Sequence, residues 1–340
     1  MIYLSFRAIA TVSSTTALDG VPKRNCDNRQ FKLSKRQIKV CRKQNEHMFS
    51  ITVGALLAIN ECQWQFQKRR WNCSIENPKT SSNVLTTGLS GTRESAFVHA
   101  ISSAGVSHKI TRDCSNGKLN SCGCDLTYQG APNNTFHWSG CSENVHYGTT
   151  FARHFVDDYE KRKANQSREV TLMNLHNYRA GRRVIKTNMK LQCKCHGVSG
   201  SCELKTCWKI QPPFRRVGDL LKEKFDGATE VKLGGRPGRA RRGLVPVLSA
   251  VKNPGPADLV YLARSPDFCR EDARLGLAGT RGRFCNANSR GIDGCDLLCC
   301  QRGHDTRIQQ TTERCKCKFH WCCKVECKDC NRTVVLHTCR

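Results

Sequence analysis

Residues 193–208 read Cys193-Lys-Cys195-His-Gly-Val-Ser199-Gly-Ser-Cys202-Glu-Leu-Lys-Thr-Cys207-Trp208. The pairs Cys193–Cys207 and Cys195–Cys202 nest about nearly one centre, as residues facing each other across an antiparallel hairpin do. The slight offset of the inner pair predicts a β-bulge. Because side chains alternate along a strand, the spelling Cys-Lys-Cys puts both sulfurs on one face. Six residues, His196 to Ser201, are left between the inner rungs. So short a loop has no core of its own and is displayed at a rigid tip. Ser199 lies between Val198 and Gly200 with open access for its hydroxyl, although composition alone reads a plain Gly/Ser turn. A hydrolase elbow needs Gly-x-Ser-x-Gly, and position 201 is serine, which argues against a catalytic nucleophile.

A second nest lies near the C-terminus. Cys315–Cys330 and Cys317–Cys327 are expected as rungs of a hairpin 315–330, leaving adjacent Cys322 and Cys323 at its tip as a strained Cys322–Cys323 pair. Cys327-x-x-Cys330, with His320 or His337, also spells part of a zinc site. A zinc site would need a second ligand pair at matching spacing, and the nested spacing favours rungs, so no metal is expected.

The rest of the chain must accommodate these staples. It has 340 residues, 24 of them cysteine, and a formal net charge of +28. Cysteine at this density points to an oxidising compartment, and the even count fits complete pairing. No segment approaches the ~20 apolar residues of a membrane-spanning helix. Met1 to Ala17 is interrupted by Arg7 and diluted by Ser and Thr, a poor export signal. The expectation is a chain whose signal peptide is missing or whose start is misassigned, leaving 1–25 as an N-terminal segment.

Helical periodicity runs through Met48, Val53, Leu56, Leu57 and Ile59, through Phe97, Ile101 and Ala104, and through Phe151, Phe155 and Tyr159. It returns in Leu172, Met173, Leu175, Val184 and Ile185. These stripes are read as core, giving a helical domain over 26–231 that carries the hairpin 193–207. Lys232 to Arg242 is Gly/Pro-punctuated and cationic, so 232–258 is expected to be a solvated basic linker. Residues 259–340 hold half of the cysteines, which describes a small disulfide-stapled β domain. Arg239-Ala-Arg-Arg242 spells the Arg-x-Arg-Arg pattern preferred by furin-type proteases, against the simpler reading of a basic linker that is never cut.

The segment 193–208 resembles the signature of the Wnt family of secreted signalling proteins. Gln65-Phe66, Arg70-Trp71-Asn72-Cys73, Trp138-Ser-Gly-Cys141, Lys222-Glu-Lys-Phe-Asp-Gly-Ala228 and Cys317-Lys-Phe-His-Trp-Cys-Cys323 agree with it, and the resemblance runs from about Cys26 to Arg340. Leu172-Met-Asn-Leu-His176 and Leu336-His-Thr-Cys-Arg340 resemble the fourth-numbered subfamily. The resemblance implies a two-domain fold: a mainly α N-terminal domain with a disulfide-laddered hairpin, then a small cysteine-knot-like β domain. It also implies the bridges Cys62–Cys73, Cys114–Cys122, Cys124–Cys141, Cys269–Cys300, Cys285–Cys295 and Cys299–Cys339, which leaves Cys26–Cys41.

By the same resemblance, Ser199 accepts a monounsaturated fatty acyl ester from the Porcupine acyltransferase, and the Wntless carrier escorts the product. The lipid, with Val198 beside it, docks on the Frizzled cysteine-rich domain. Phe319, Trp321, Cys322, Cys323 and Val325 supply a second contact, unless Trp321 is locally buried. Low-density-lipoprotein-receptor-related co-receptors complete the receptor. No cofactor and no catalysis are expected. The basic charge suits heparan sulfate proteoglycans, and a heparan-sulfate-binding matrix protein without receptor activation is the alternative. A zinc-dependent nucleic-acid binder would fit the charge but lacks any fold motif, so no nucleic acid is expected. In a secreted, extracellular protein the sequons at Asn72, Asn133, Asn165 and Asn331 are glycosylation candidates.

Overall fold

The computed structural model describes residues 26, 33–73, 89–128, 130–131, 136–162, 166–234, 243–272 and 277–340. They form two compact units. One comprises the described residues up to Gln65 and from Leu89 to Ser265; the other comprises Phe66 to Cys73 and the described residues from Pro266 to Arg340.

Among the described residues, the first unit is built on six helices: α1 (Lys35–Lys43), α2 (Asn45–Phe66, whose last residue falls in the other unit), α3 (Arg93–Ser115), α4 (Val145–Lys161), α5 (Arg168–Thr187) and α6 (Phe214–Asp226). Helix α3 is its axle, buried on every side from Glu94 to His108. Small residues make that burial possible. At Gly105 of α3 the backbones of α2 and α3 nearly touch, and a methyl group there would collide with the Gly54 carbonyl and lie 3.0 Å from the Ala58 methyl. Starts are defined by caps: Ser34 with Gln37 forms a capping box on α1, while Thr92 and Ser167 cap α3 and α5.

The core stripe of α2 is Met48, Ile51, Ala55, Ala58, Ile59 and Cys62. Leu56, expected inside, is exposed, because the close approach of α3 leaves room only for the small side chains beside it. In the other stripes Phe97, Ile101, Ala104, Phe155, Tyr159, Met173, Val184 and Ile185 are buried, whereas Phe151, Leu172 and Leu175, like Val53 and Leu57 of α2, are only half-buried. The buried charge on α5 is paired. Arg182 of α5 makes a bidentate ion pair with Asp157 of α4 at 2.7 and 3.0 Å and also donates to Ser103.

The expected linker 232–258 is mostly not a linker. Strand β4 (Thr229–Leu233) pairs antiparallel with β5 (Leu244–Pro246) and parallel with β6 (Val260–Tyr261). Val231 and Val260 pack on Met173 of α5, with Leu244 and Leu262 partly covering them. The Asn177 side chain completes the junction by donating to the Val260 carbonyl and accepting from its amide. Short apolar runs on either side of the cationic stretch thus dock on the helices. Residues 235–242, including the Arg-x-Arg-Arg sequence, lie outside the described residues.

The second unit has little aliphatic core. Among the described residues, one buried cluster is Cys295, Leu298, Cys299 and Cys339, where cystine sulfur stands in for aliphatic packing, and Phe66, Trp71, Phe268 and Leu277 are also buried in the same unit. Phe66 to Cys73, expected in the helical domain, belongs here: Arg283 donates to the carbonyls of Arg70 and Gln67, and Arg70 to that of Leu297. Trp71 packs between Phe66 and Phe268. After the short strands β7 (Glu271–Asp272), β8 (Leu277–Ala278) and β9 (Phe284–Cys285), the dominant element is a hairpin of β10 (His304–His320) and β11 (Lys324–Cys339), much longer than the expected 315–330.

Candidate functional site

The first displayed tip rises from β2 (Lys190–Cys195) and β3 (Lys205–Ile210), paired antiparallel with Cys193 directly opposite Cys207. The Cys193–Cys207 bridge is therefore a true rung, with Cα atoms 4.0 Å apart and Cys207 fully buried. A short strand β1 (His137–Trp138) adds to β3 in parallel, and the Trp138 ring packs on Tyr128 and Phe136. Cys195 pairs across the ladder with Lys205, so the Cys195–Cys202 bridge lies beyond the ladder and closes the loop. The offset read as a bulge is the start of that loop.

Inside it, Val198–Gly200 make one 3₁₀ turn. The Gly197 amide donates to Ser201, Gly200 to Gly197, and Ser201 to Val198. Ser199 sits in the left-handed region at φ 57° and ψ 24°, a conformation that lifts its side chain off the turn. Ser199 is exposed and Val198 is 85% exposed. Ser201, two residues on, has its hydroxyl oxygen sealed from solvent against Gly197. Of the two loop serines, only Ser199 presents a hydroxyl to a reagent from outside. A nearby apolar surface is supplied by Leu204, 56% exposed.

The second tip closes the β10–β11 hairpin. Phe319 faces Val325 and His320 faces Lys324, with Trp321, Cys322 and Cys323 in the turn. Trp321 is 94% exposed, so the locally buried alternative fails, and Phe319 and Val325 are exposed beside it. Glu326 accepts from Lys324 at 2.7 Å and lies 3.4 Å from His320, which keeps the charged groups just behind the aromatic end. Cys322 and Cys323 are free thiols with their sulfurs 3.7 Å apart. The expected Cys322–Cys323 bridge is absent. Joining adjacent cysteines requires a very small ring, whereas this turn is made by putting both residues at positive φ, 70° and 85°.

The rungs below the tip differ from simple cross-strand pairs. Cys315 faces Lys328 and Cys330 faces Glu313, so the Cys315–Cys330 bridge runs diagonally. Register shifts between Cys315 and Lys318, with Lys316 at φ 48°, and Cys317–Cys327 bridges the bulge. An extra residue in one strand moves both cysteines off the straight ladder.

Elsewhere the structure joins Cys26–Cys41, Cys114–Cys122, Cys124–Cys141, Cys269–Cys300, Cys285–Cys295 and Cys299–Cys339. Cys62 and Cys73 are each disulfide-bonded. The sulfurs of Cys285, Cys299 and Cys339 cluster, yet all three are oxidised, which leaves no thiolate there for a metal. Of the sequons, Asn331 is exposed on β11 and accepts from Thr312, and Asn72 is half-buried. Asn133 and Asn165 lie outside the described residues. Sequence reasoning missed the β1 support and the identity of the sealed serine. Trp138 and Trp208 were visible in the motifs, but only a fold could place Gly140 against the Trp208 ring, where a methyl group would sit 3.3 Å away.

A family model described as the wnt family matches residues 29–340. The protein Wnt-1 of Ambystoma mexicanum is 46% identical over 314 residues, covering 90% of this chain and 83% of the relative. Human Wnt-3a is 46% identical over 311 residues, covering 90% of this chain and 86% of the relative. A chain in the solved complex of human WLS with WNT8A matches at a TM-score of 0.65 and 37% identity, covering 88% of this chain and 96% of that one. Wnt-1 and Wnt-3a give no support to a place in the fourth-numbered subfamily. With the helical domain, the laddered hairpin and the cystine-rich β domain all in place, the chain belongs to the Wnt family.

Proposed function

We propose that this protein is a secreted Wnt-type signalling ligand, not an enzyme, in which the Ser199 hydroxyl carries a monounsaturated fatty acyl ester that docks on a Frizzled cysteine-rich domain. The observation that carries the assignment is the contrast within one loop: Ser199 exposed at positive φ, Ser201 sealed. An acyl chain of about 14 methylenes brings on the order of 10 kcal/mol of apolar transfer energy at ~0.8 each. That exceeds what a few side chains supply, so the lipid dominates docking. Phe319, Trp321 and Val325 form the second contact, where a well-exposed tryptophan flanked by apolar residues suits a small hot spot.

Acylation by Porcupine, escort by Wntless and a low-density-lipoprotein-receptor-related co-receptor complete this reading. The likeness to a chain solved with WLS supports the escort. Placement is no finer than the family, because the relatives found are Wnt-1 and Wnt-3a.

The test is Ser199→Ala beside Ser201→Ala. Ser199→Ala is expected to lose the acyl mass and receptor activation while keeping its melting temperature, since an exposed turn tolerates alanine. Ser201→Ala is expected to keep the lipid. Full receptor activation by Ser199→Ala, or lipid lost only from Ser201→Ala, would overturn the assignment.

A further inference from the structure

Helices α4 and α5 enclose an open groove of about 720 Å³ on the helical unit, far in sequence from both tips. Arg153 and Lys161 line one wall, eight residues apart on α4. Arg179, Arg183 and Lys186 line the other, at i, i+4 and i+7 on α5. Such spacing keeps each set on a single helix face, and the rows extend roughly 10 to 12 Å along their axes. All five side chains belong to exposed residues. Among the described residues, none of the five is neutralised by an ion pair. The one carboxylate of the lining, Asp157, is already held by the bidentate Arg182. Thr149 and Thr150 add hydroxyl groups to the α4 wall.

Five unpaired cations converging on one concave surface repel one another, and nothing in the packing requires them. Arg182 alone has a structural task. A polyanion laid along the groove would relieve that repulsion and meet both rows at once. We propose that the α4–α5 groove is a binding site for a linear sulfated polysaccharide, with Arg153, Lys161, Arg179, Arg183 and Lys186 as its sulfate contacts. The choice of a glycan rests on the extracellular placement proposed above. Guanidinium groups suit it because they meet sulfate oxygens through paired donors.

The full disulfide-bonded chain carrying Arg153→Glu, Arg179→Glu and Arg183→Glu is compared with one carrying Arg307→Glu, Arg314→Glu and Lys328→Glu on the long hairpin. Both sets remove the same charge from exposed positions. The probes are a heparin oligosaccharide, its desulfated form, and vesicles containing phosphatidylserine. Matching melting temperatures establish that both variants are folded. The groove variant is expected to bind the sulfated oligosaccharide about ten-fold or more weakly at physiological ionic strength, the hairpin variant within about two-fold of the parent. Equal losses in both would overturn the site in favour of diffuse attraction by net charge. Equal binding of the desulfated sugar, or selective loss of vesicle binding, would overturn the sulfated ligand. The Ser199→Ala chain is expected to retain oligosaccharide binding, so failure of this site and failure of the lipid assignment read out separately.

Discussion

Ser199 and Ser201 are the same chemical group two residues apart, and their environments are opposite. Gly197 decides this. A side chain there would strike the Ser201 hydroxyl and sit 2.8 Å from the Ser201 carbonyl, which the Gly197 amide already binds. Gly197→Ala is therefore expected to push Ser201 outward and rebuild the turn, so that acyl loading measured by intact mass falls several-fold with little change in melting temperature. Gly200→Ala is the contrasting case. Nothing lies within 4 Å of its missing side chain, and only the left-handed backbone at φ 78° resists, by about 1 kcal/mol. It is expected to keep its lipid. The sequence displays both glycines and both serines plainly. Which glycine is a steric necessity depends on where Ser201 turns, and the bridge beneath sets that direction.

At the level of elements, periodicity marked the long helices well because their burial repeats every turn. It failed where burial was set by a neighbour's approach. Leu56 is a stronger core residue than Ala55 by composition, yet Ala55 faces α3 and Leu56 faces out. The same seam makes a sharp prediction. Gly105→Ala brings a methyl group into the Gly54 backbone, which cannot rotate away, and is expected to cost about 3 kcal/mol or more in chemical denaturation with disulfides intact. The strands β4 to β6 were missed for a related reason: each has only two to five residues, and their apolar character shows only against Met173. The paired hairpins were legible because cysteine spacing records register, except where the bulge at Lys316 shifted it.

One element junction is pH-sensitive. His108 of α3 is buried and donates to the Pro212 carbonyl at the start of α6. Burial lowers its pKa from 6.5 to about 4, the Pro212 bond opposes this, and Arg112 and Lys109 add to the lowering. The unfolded chain therefore takes up this proton first, and stability is lost as pH falls from 6.5 towards 4. The expected loss is on the order of 2 kcal/mol at pH 5 relative to pH 7, from about 1.4 kcal/mol per pH unit. His47 and His176 are lowered by burial too and act in the same direction. Glu61, Glu143 and Asp157 are raised by burial and act against it at lower pH. Comparing denaturation of parent and His108→Gln at pH 7 and pH 5 isolates the histidine. A variant with an unchanged pH slope would show that His108 titrates normally.

For the whole molecule, the consequence of proteolysis at Arg239 to Arg242 turns on how the segment downstream of the cut is held. With a free linker, cleavage would release the cysteine-rich domain. In the structure, residues 243–265 belong to the helical unit. Leu244 to Pro246 pair with β4, Val260 is clasped by Asn177, His176 binds the Asp258 carbonyl, and Ser265 donates to Glu94 of α3. Lys224 of α6 also reaches Asp258 at 2.8 Å. The C-terminal fragment would thus carry its own anchor into the helical core. A cut chain is expected to give two bands on denaturing gels, reduced or not, because no bridge that the structure pairs spans residues 235–242. In gel filtration without denaturant it is expected to elute as one species of full size. Asn177→Ala removes both bonds to Val260 and Met173→Ala removes the surface beneath it, a combined cost of several kcal/mol at this seam. The double variant, once cut, should separate in gel filtration where the cut parent does not. Dissociation of the cut parent itself would mean that the β4–β6 seam is too weak to hold the fragments together.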